Sequence, residues 1–75
     1  MEKRTRELQI AFGHIVDERR KELKLNQVEL SERVGYNPSH MSRILLGKRN
    51  LTFATVAKIA EALGIQIKFT VRTVK

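Results

Sequence analysis

Hydrophobic and polar residues follow one another with the period of an amphipathic helix in four segments of the chain. The first segment covers residues 5–24, and the other three open at Asn26, Asn37 and Thr52. Asn and Thr are favoured N-cap residues, and a proline at the first helical position, as in Asn37-Pro38, strengthens the signal. Apolar residues that share one face of these helices form the predicted core: Leu8, Phe12, Ile15, Val16, Leu23, Leu30, Val34, Met41, Ile44, Leu45, Phe53, Val56, Ile59, Ala60 and Leu63.

The last part of the chain changes to a period of two. Apolar residues at every second position, namely Ile65, Ile67, Phe69 and Val71, alternate with Gln66, Lys68, Thr70 and Arg72. This pattern predicts a half-buried strand. Because the chain offers no second strand to pair with it, we expect the strands of two copies to form an antiparallel ribbon across a two-fold axis, with the four apolar residues as the dimer interface. A frayed tail is the alternative.

Composition limits the chemistry that the chain can perform. The 75 residues leave room for one small domain, and they include no Cys, only two His and only one Asp. Disulfides, thiolate metal sites and the common nucleophilic triads therefore lack their raw material. No apolar run approaches about 18 residues, and the N-terminus lacks the apolar segment of a signal peptide. We expect a cytoplasmic binding protein that is not an enzyme and has no metal, cofactor, membrane or small-molecule substrate.

Positive charge is concentrated in the second half of the sequence. The formal net charge is +7, and residues 43–75 contain seven basic side chains against the single acidic Glu61. A concentrated positive field favours a polyanion such as nucleic acid or an anionic membrane surface. A solvated surface explains the same charges without any partner.

The middle of the chain resembles the helix-turn-helix family of lambda-type repressors and Cro. The resemblance covers about residues 12–65 and rests on residues 25–30, Gly35, residues 41–44, residues 47–49, and the apolar pattern of the fourth helix. It implies an all-α, four-to-five-helix DNA-binding domain in residues 1–64, with its motif at 27–46. Residues 65–75 then form the added C-terminal β-strand that pairs across the dimer.

The third helix has an outward face that can be derived without the family. At about 100° per residue, Met41, Ile44 and Leu45 lie on one side, and the opposite side carries Ser39, Ser42, Arg43 and Leu46, with His40 on the flank. The resemblance implies that this face enters the major groove, with base contacts from Pro38, Ser39, His40, Ser42 and Arg43. Arg43 is the leading candidate because its guanidinium can donate to both guanine acceptors.

The resemblance also implies contacts with the DNA backbone. Their candidates are Gln27, Asn37, Lys48, Arg49 and Asn50. A role in helix capping is the alternative for Gln27, and a solvated surface is the alternative for Lys48 and Arg49. We expect Tyr36 to be a core or turn residue rather than a stacking platform. Arg19 stands where relatives often have an apolar residue, which predicts a shallower core.

The leading functional hypothesis is a homodimeric, sequence-specific regulator that represses transcription from an inverted-repeat operator in double-stranded DNA. Strand-tailed members of the family resemble antitoxins, which suggests an alternative in which the chain binds and neutralises a toxin and regulates its own promoter. Apolar side chains on the first helix beyond those that a small core needs, at Leu8, Ile10 and Ile15, motivate the alternative.

Overall fold

Four helices make up the regular structure of residues 2–74, as the resemblance implies. The computed structural model describes residues 2–74; Met1 and Lys75, the outer ends of the predicted segments 1–64 and 65–75, lie outside the described residues. The helices are α1 (Lys3–Glu22), α2 (Gln27–Val34), α3 (Pro38–Leu45) and α4 (Phe53–Leu63). The all-α fold is thereby confirmed. None of the helices found within residues 2–74 has the length and apolar character needed to cross a membrane.

The helix ends follow the capping signals of the sequence. Asn26 accepts a hydrogen bond from the Glu29 backbone N–H at 2.8 Å, and the Glu29 carboxylate accepts one from the Asn26 N–H at 2.9 Å, so α2 begins with a complete capping box. The Asn37 and Thr52 side chains cap α3 and α4 by accepting one backbone N–H each, from His40 and Thr55. Only α1 is shifted from its predicted range, because Glu2 caps it early and Lys24 turns the backbone left-handed at φ 58°.

The core lies between α3 and the other helices. α3 packs on α1 and α2, and α4 packs on the same two helices from another side. The buried side chains at the centre are Val16, Leu30, Val34, Met41, Ile44, Ile59 and Leu63. Phe53, a predicted core residue, is instead largely exposed, and Leu8 and Ile15, whose apolar surface exceeds what a small core needs, are exposed as well. Gln9 and Ser31 are buried although they are polar, and the Ser31 hydroxyl donates to the Val28 carbonyl at 2.7 Å.

Glycine at position 13 allows the backbones of α1 and α3 to meet. A Cβ on Gly13 would lie 2.5 Å from the carbonyl oxygen of Ile44 and 2.6 Å from that of Leu45. Both distances are far below van der Waals contact, and backbone atoms cannot rotate away as a side chain can. The cost of a glycine inside a helix, about 1 kcal/mol relative to alanine, is therefore offset by close packing against α3.

Arg19 connects α1 to the end of α4. Its Nε donates to the carbonyl oxygen of Leu63 at 2.8 Å, and its Nη1 lies 3.2 Å from Glu22 Oε1. The last carbonyls of a helix have no partner within that helix, so the guanidinium satisfies one of them. The Arg19 side chain is thus satisfied by contacts within the chain. The Leu63 side chain beside it remains almost fully buried.

The strand predicted for the tail that follows α4 (residues 65–74) is wrong for the single chain. Residues 65–74 have no regular secondary structure, and no strand occurs anywhere in residues 2–74. The Ile65 N–H still donates to the Ala60 carbonyl at 2.8 Å, but the single chain provides no second strand with which the following residues can pair. Of the predicted dimer-interface residues, Ile65 packs against the core, whereas Ile67, Phe69 and Val71 are exposed. Dimerisation through them stays a prediction.

Candidate nucleic-acid interface

α3 has one buried face and one solvent-accessible face, as the helical wheel predicts. Met41 and Ile44 are fully buried. Pro38, Ser39 and Arg43 are exposed, and the other two predicted base contacts, His40 and Ser42, are half-buried. Leu46, just beyond the helix, is 60% exposed and does not close the core. All five residues that are candidates for base contacts therefore lie on α3, and each is at least partly accessible to solvent.

Side chains hold the N-terminal end of α3 in place. The Asn37 side-chain oxygen accepts a hydrogen bond from the His40 backbone N–H at 2.8 Å, so Asn37, a predicted phosphate contact, serves as the N-cap. The Tyr36 ring stacks on the His40 imidazole, with the centroids 4.4 Å apart and the planes 21° apart. Tyr36 is half-buried against the core, as expected of a turn residue, but it also provides a stacking surface.

The environment of His40 disfavours its charged form. Burial lowers the pKa of His40 below its usual 6.5, and the positive charges of Arg49 and Arg43 lower it further. The imidazole is therefore neutral at pH 7. A neutral imidazole offers one N–H donor and one lone-pair acceptor to a ligand.

The C-terminal end of α3 is closed by backbone contacts. Residues 48–50, which follow α3, form a basic loop. The Lys48 N–H donates to the Arg43 carbonyl at 2.9 Å, which holds the start of this loop beside Arg43. At the far end of this loop, Asn50 Oδ1 accepts a hydrogen bond from Gln9 Nε2 at 3.1 Å. Asn50 is thus tied to α1, and only its Nδ2 is left to donate to a phosphate.

Acidic side chains do not neutralise the basic residues of this surface. Within residues 2–74, the salt bridges all lie in α1, where Asp17, Glu18 and Glu22 pair with neighbouring basic residues. Partial burial would raise the pKa of Asp17, but the hydrogen bond and charge of Arg20, and then those of Lys21, hold it below its usual value. Arg43, Lys48 and Arg49 are exposed, and their charges face solvent.

Gln27 lies in the first turn of α2 and is exposed. The backbone N–H groups of a first helical turn have no acceptor inside the helix, so this turn can donate to an anion. No group of three or more His, Asp or Glu side chains that could hold a metal ion occurs in the part of the chain that the structure describes.

Three residues that the sequence analysis did not select contribute to this region. Gln9 holds the basic loop through its hydrogen bond to Asn50, and Gly13 allows the end of α3 to pack closely on α1. The Lys58 Nζ lies 4.8 Å from the centroid of the Tyr36 ring. Each contact joins residues far apart in sequence. A local pattern of hydrophobic, capping or charged residues carries no signal for such a contact.

Comparisons with known proteins agree with the helix-turn-helix fold. The family model described as "Helix-turn-helix" matches residues 16–69. The crystal structure of the restriction-modification controller protein C.AhdI from Aeromonas hydrophila is similar, with a TM-score of 0.70 and 29% sequence identity. The match covers 77% of this chain and 84% of that chain. None of the curated proteins compared with the chain matches it.

Proposed function

The chain belongs to the lambda-repressor-like helix-turn-helix family of DNA-binding transcriptional regulators, and from this membership we propose that it is a homodimeric repressor. Two copies bind an inverted-repeat operator, with one α3 helix in each major groove, and exclude the transcription machinery from the site. The half-sites lie about one helical turn of DNA apart. The likeness to a restriction-modification controller protein supports a role in controlling gene expression.

The observation that carries this proposal is the exposed face of α3 beside an unneutralised basic loop. Arg43 projects from the middle of the face, and the backbone hydrogen bond from Lys48 to Arg43 keeps the loop adjacent to it. A guanidinium next to two exposed cations fits a base edge flanked by phosphates. We propose that Pro38, Ser39, His40, Ser42 and Arg43 contact bases and that Gln27, Asn37, Lys48, Arg49 and Asn50 contact the backbone.

Exposed apolar surface supports the homodimer. Phe53 and Phe69 are 80% and 78% exposed, and their rings meet edge to face with centroids 6.1 Å apart. They border an apolar groove of about 430 Å³ between α1, α4 and the tail. A monomer of this size rarely leaves so many large apolar side chains in water. We propose that Ile65, Ile67, Phe69 and Val71 meet their counterparts in a second copy, so that residues 65–75 act as a dimerisation segment.

The Arg43→Ala variant tests the reading of the operator. An operator is first obtained by selection from random double-stranded DNA, and we expect an inverted repeat. Arg43→Ala should weaken operator binding by about 1–3 kcal/mol and relax the preference at one position in each half-site. Arg4→Ala, which removes an exposed arginine from α1, outside the proposed DNA contacts and the dimerisation segment, is the matched control. An equal loss on every sequence would assign Arg43 to the DNA backbone instead.

Salt dependence tests the backbone contacts. The logarithm of the binding constant should fall linearly with the logarithm of salt concentration, by about 0.9 for each phosphate neutralised. Lys48→Ala and Arg49→Ala should each reduce this slope by about one while leaving the base preferences intact. An unchanged slope in both variants would show that the basic loop does not contact DNA phosphates.

Phe69→Asp tests the dimer. Sedimentation should show dimers of the wild-type chain and monomers of the variant, because a buried unpaired carboxylate is costly. The monomer should bind the full operator much more weakly. Thr70→Asp places the same charge at the neighbouring exposed position and serves as the control. A Phe69→Asp protein that still sediments as a dimer would move the interface to α1.

A second candidate function is an antitoxin that neutralises a toxin. Leu8 and Ile15 on α1 are 71% and 51% exposed and line the apolar groove, which provides a surface for another protein. Under this alternative, Arg43→Ala weakens operator binding and leaves the toxin complex intact. Leu8→Glu should instead disrupt the toxin complex, because Leu8 lines the apolar groove and is not among the proposed DNA contacts.

A further inference from the structure

A stack of three side chains lies at the turn between α2 and α3. The Tyr36 ring stacks on His40 at a centroid distance of 4.4 Å, and the Lys58 ammonium lies 4.8 Å from the centroid of the same ring. Lys58 comes from α4 and lies close to the turn itself, since a Cβ added to Gly35 would be 3.6 Å from its Nζ. The stack therefore joins three separate elements: α4, the turn and α3.

The stack restricts the orientation of His40. A side chain on the exposed flank of a helix ordinarily samples several rotamers, and this freedom must be lost when the side chain contacts a ligand. Here the near-parallel Tyr36 ring limits the imidazole to one orientation, and the Asn37 cap fixes the His40 backbone N–H at 2.8 Å. The imidazole is thus held in place before any DNA arrives, which lowers the entropic cost of a contact.

Lys58 stabilises the ring on which His40 rests. An ammonium near an aromatic ring is attracted by the negative face of the ring, and within residues 2–74 no carboxylate forms a salt bridge with Lys58 to compete for it. Because α4 belongs to the core through Ile59 and Leu63, Lys58 anchors the turn to the rigid part of the protein.

We propose that the Lys58–Tyr36–His40 stack is a positioning unit that makes His40 a specificity-determining residue, with its imidazole N–H donating to the N7 atom of a purine in each half-site. Tyr36 and Lys58 are positioning residues that act through His40. Purines present N7 as an acceptor in the major groove, whereas pyrimidines do not. The unit therefore selects purine over pyrimidine at one position. This inference rests on the proposed operator binding through α3.

A paired substitution at Tyr36 provides the main test. Tyr36→Phe keeps the ring, and Tyr36→Leu removes it while leaving an apolar side chain. Binding is measured to the selected operator and to a set of operators that carry each base at each half-site position. Tyr36→Phe should stay within about twofold of the wild type. Tyr36→Leu should reduce purine preference at one position by about 5- to 10-fold, the low end of what a base contact contributes.

His40→Ala and Lys58→Met complete the test. His40→Ala should lose the purine preference at the position that Tyr36→Leu affects, and Lys58→Met should lose part of it. Lys3→Met, at an exposed position outside the proposed DNA contacts and the dimerisation segment, is the control for removing a lysine charge and should leave that preference unchanged. If Tyr36→Leu does not fold, as judged from its circular dichroism, the other two variants still decide the matter, because neither side chain belongs to the buried core.

Two kinds of failure are distinguishable. A uniform loss at every position, or effects of Tyr36→Leu and His40→Ala at different positions, would overturn the positioning unit and leave operator binding in place. If Arg43→Ala binds all operators of the same set as the wild type does, the proposed use of α3 fails instead. A purine preference in the wild type that survives His40→Ala also overturns the inference.

Discussion

The two ends of α3 are held by different kinds of contact. At the C-terminal end, backbone meets backbone: the carbonyls of Ile44 and Leu45 lie against Gly13, and Gly47 lies against Ile10. At the N-terminal end, side chains form the contacts, namely the Asn37 cap and the stack of Tyr36 on His40. One end is therefore fixed by close packing against the backbone of α1, and the other is held by side chains that substitution can change one at a time.

This difference affects what each end can contribute to DNA binding. Arg43 and the basic loop follow the rigid end, so their position relative to the core is set by the fold itself. Pro38, Ser39 and His40 stand at the end that side chains hold. The first two are exposed and His40 is half-buried, and none of them belongs to the buried core. We infer that substitutions in the side-chain contacts of the N-terminal end change the sequence that is bound, whereas substitutions at Gly13 or Gly47, where the C-terminal end meets α1, disturb the whole domain.

Gly13→Ala gives the largest expected effect and tests the rigid end. The new Cβ would collide with two carbonyl oxygens that cannot move without shifting α3. Overpacking of this kind costs about 1–3 kcal/mol, even though alanine favours a helix. Urea unfolding should show this loss, while His14→Ala, at the exposed neighbouring position, should change stability by less than about 0.5 kcal/mol. A Gly13→Ala protein as stable as the wild type would show that the two helices can separate freely.

Asn37→Ala tests the other end and should have a smaller effect. It removes the acceptor for the His40 N–H, which costs about 1 kcal/mol as for other N-caps. Amide hydrogen exchange should accelerate at the start of α3 and much less in α4. Thr52→Ala removes the equivalent cap from α4 and should reverse that pattern. Uniform acceleration in both variants would indicate that the end of α3 does not open independently.

A pH titration of stability gives the smallest expected effect. Burial and the nearby arginines lower the pKa of His40 in the folded chain, so below pH 6.5 the unfolded chain binds the proton more readily than the folded chain. The contribution of His40 is therefore complete above pH 6.5 and declines as the pH falls toward its folded pKa. Between pH 7.5 and 5.5, the Tm of the wild type should fall more than that of His40→Gln, with both measured in a His14→Gln background. Equal falls in Tm for the two proteins would contradict a link between His40 protonation and stability.

Local signals in the sequence were sufficient for the helix ends and for the outward face of α3. The caps at Asn26, Asn37 and Thr52 depend on residues three positions away, and the exposure of Arg43 opposite Met41 follows from helical periodicity. The same reasoning failed for Phe53, which continues the apolar pattern of α4 yet is exposed. Periodicity shows which residues share a face, but not how much of that face another helix covers.

The sequence by itself determined the four helices and the residues that α3 turns outward, because these follow from contacts between near neighbours, and its residue pattern was enough to identify the family. Only the tertiary structure decided why α1 contains Gly13, what Arg19 binds, and how Lys58 and Tyr36 surround His40. It also left the tail of the single chain without a strand, since a strand requires a partner that local pattern does not supply. Contacts between distant residues depend on the packing of whole helices, and packing is fixed only when the complete core forms.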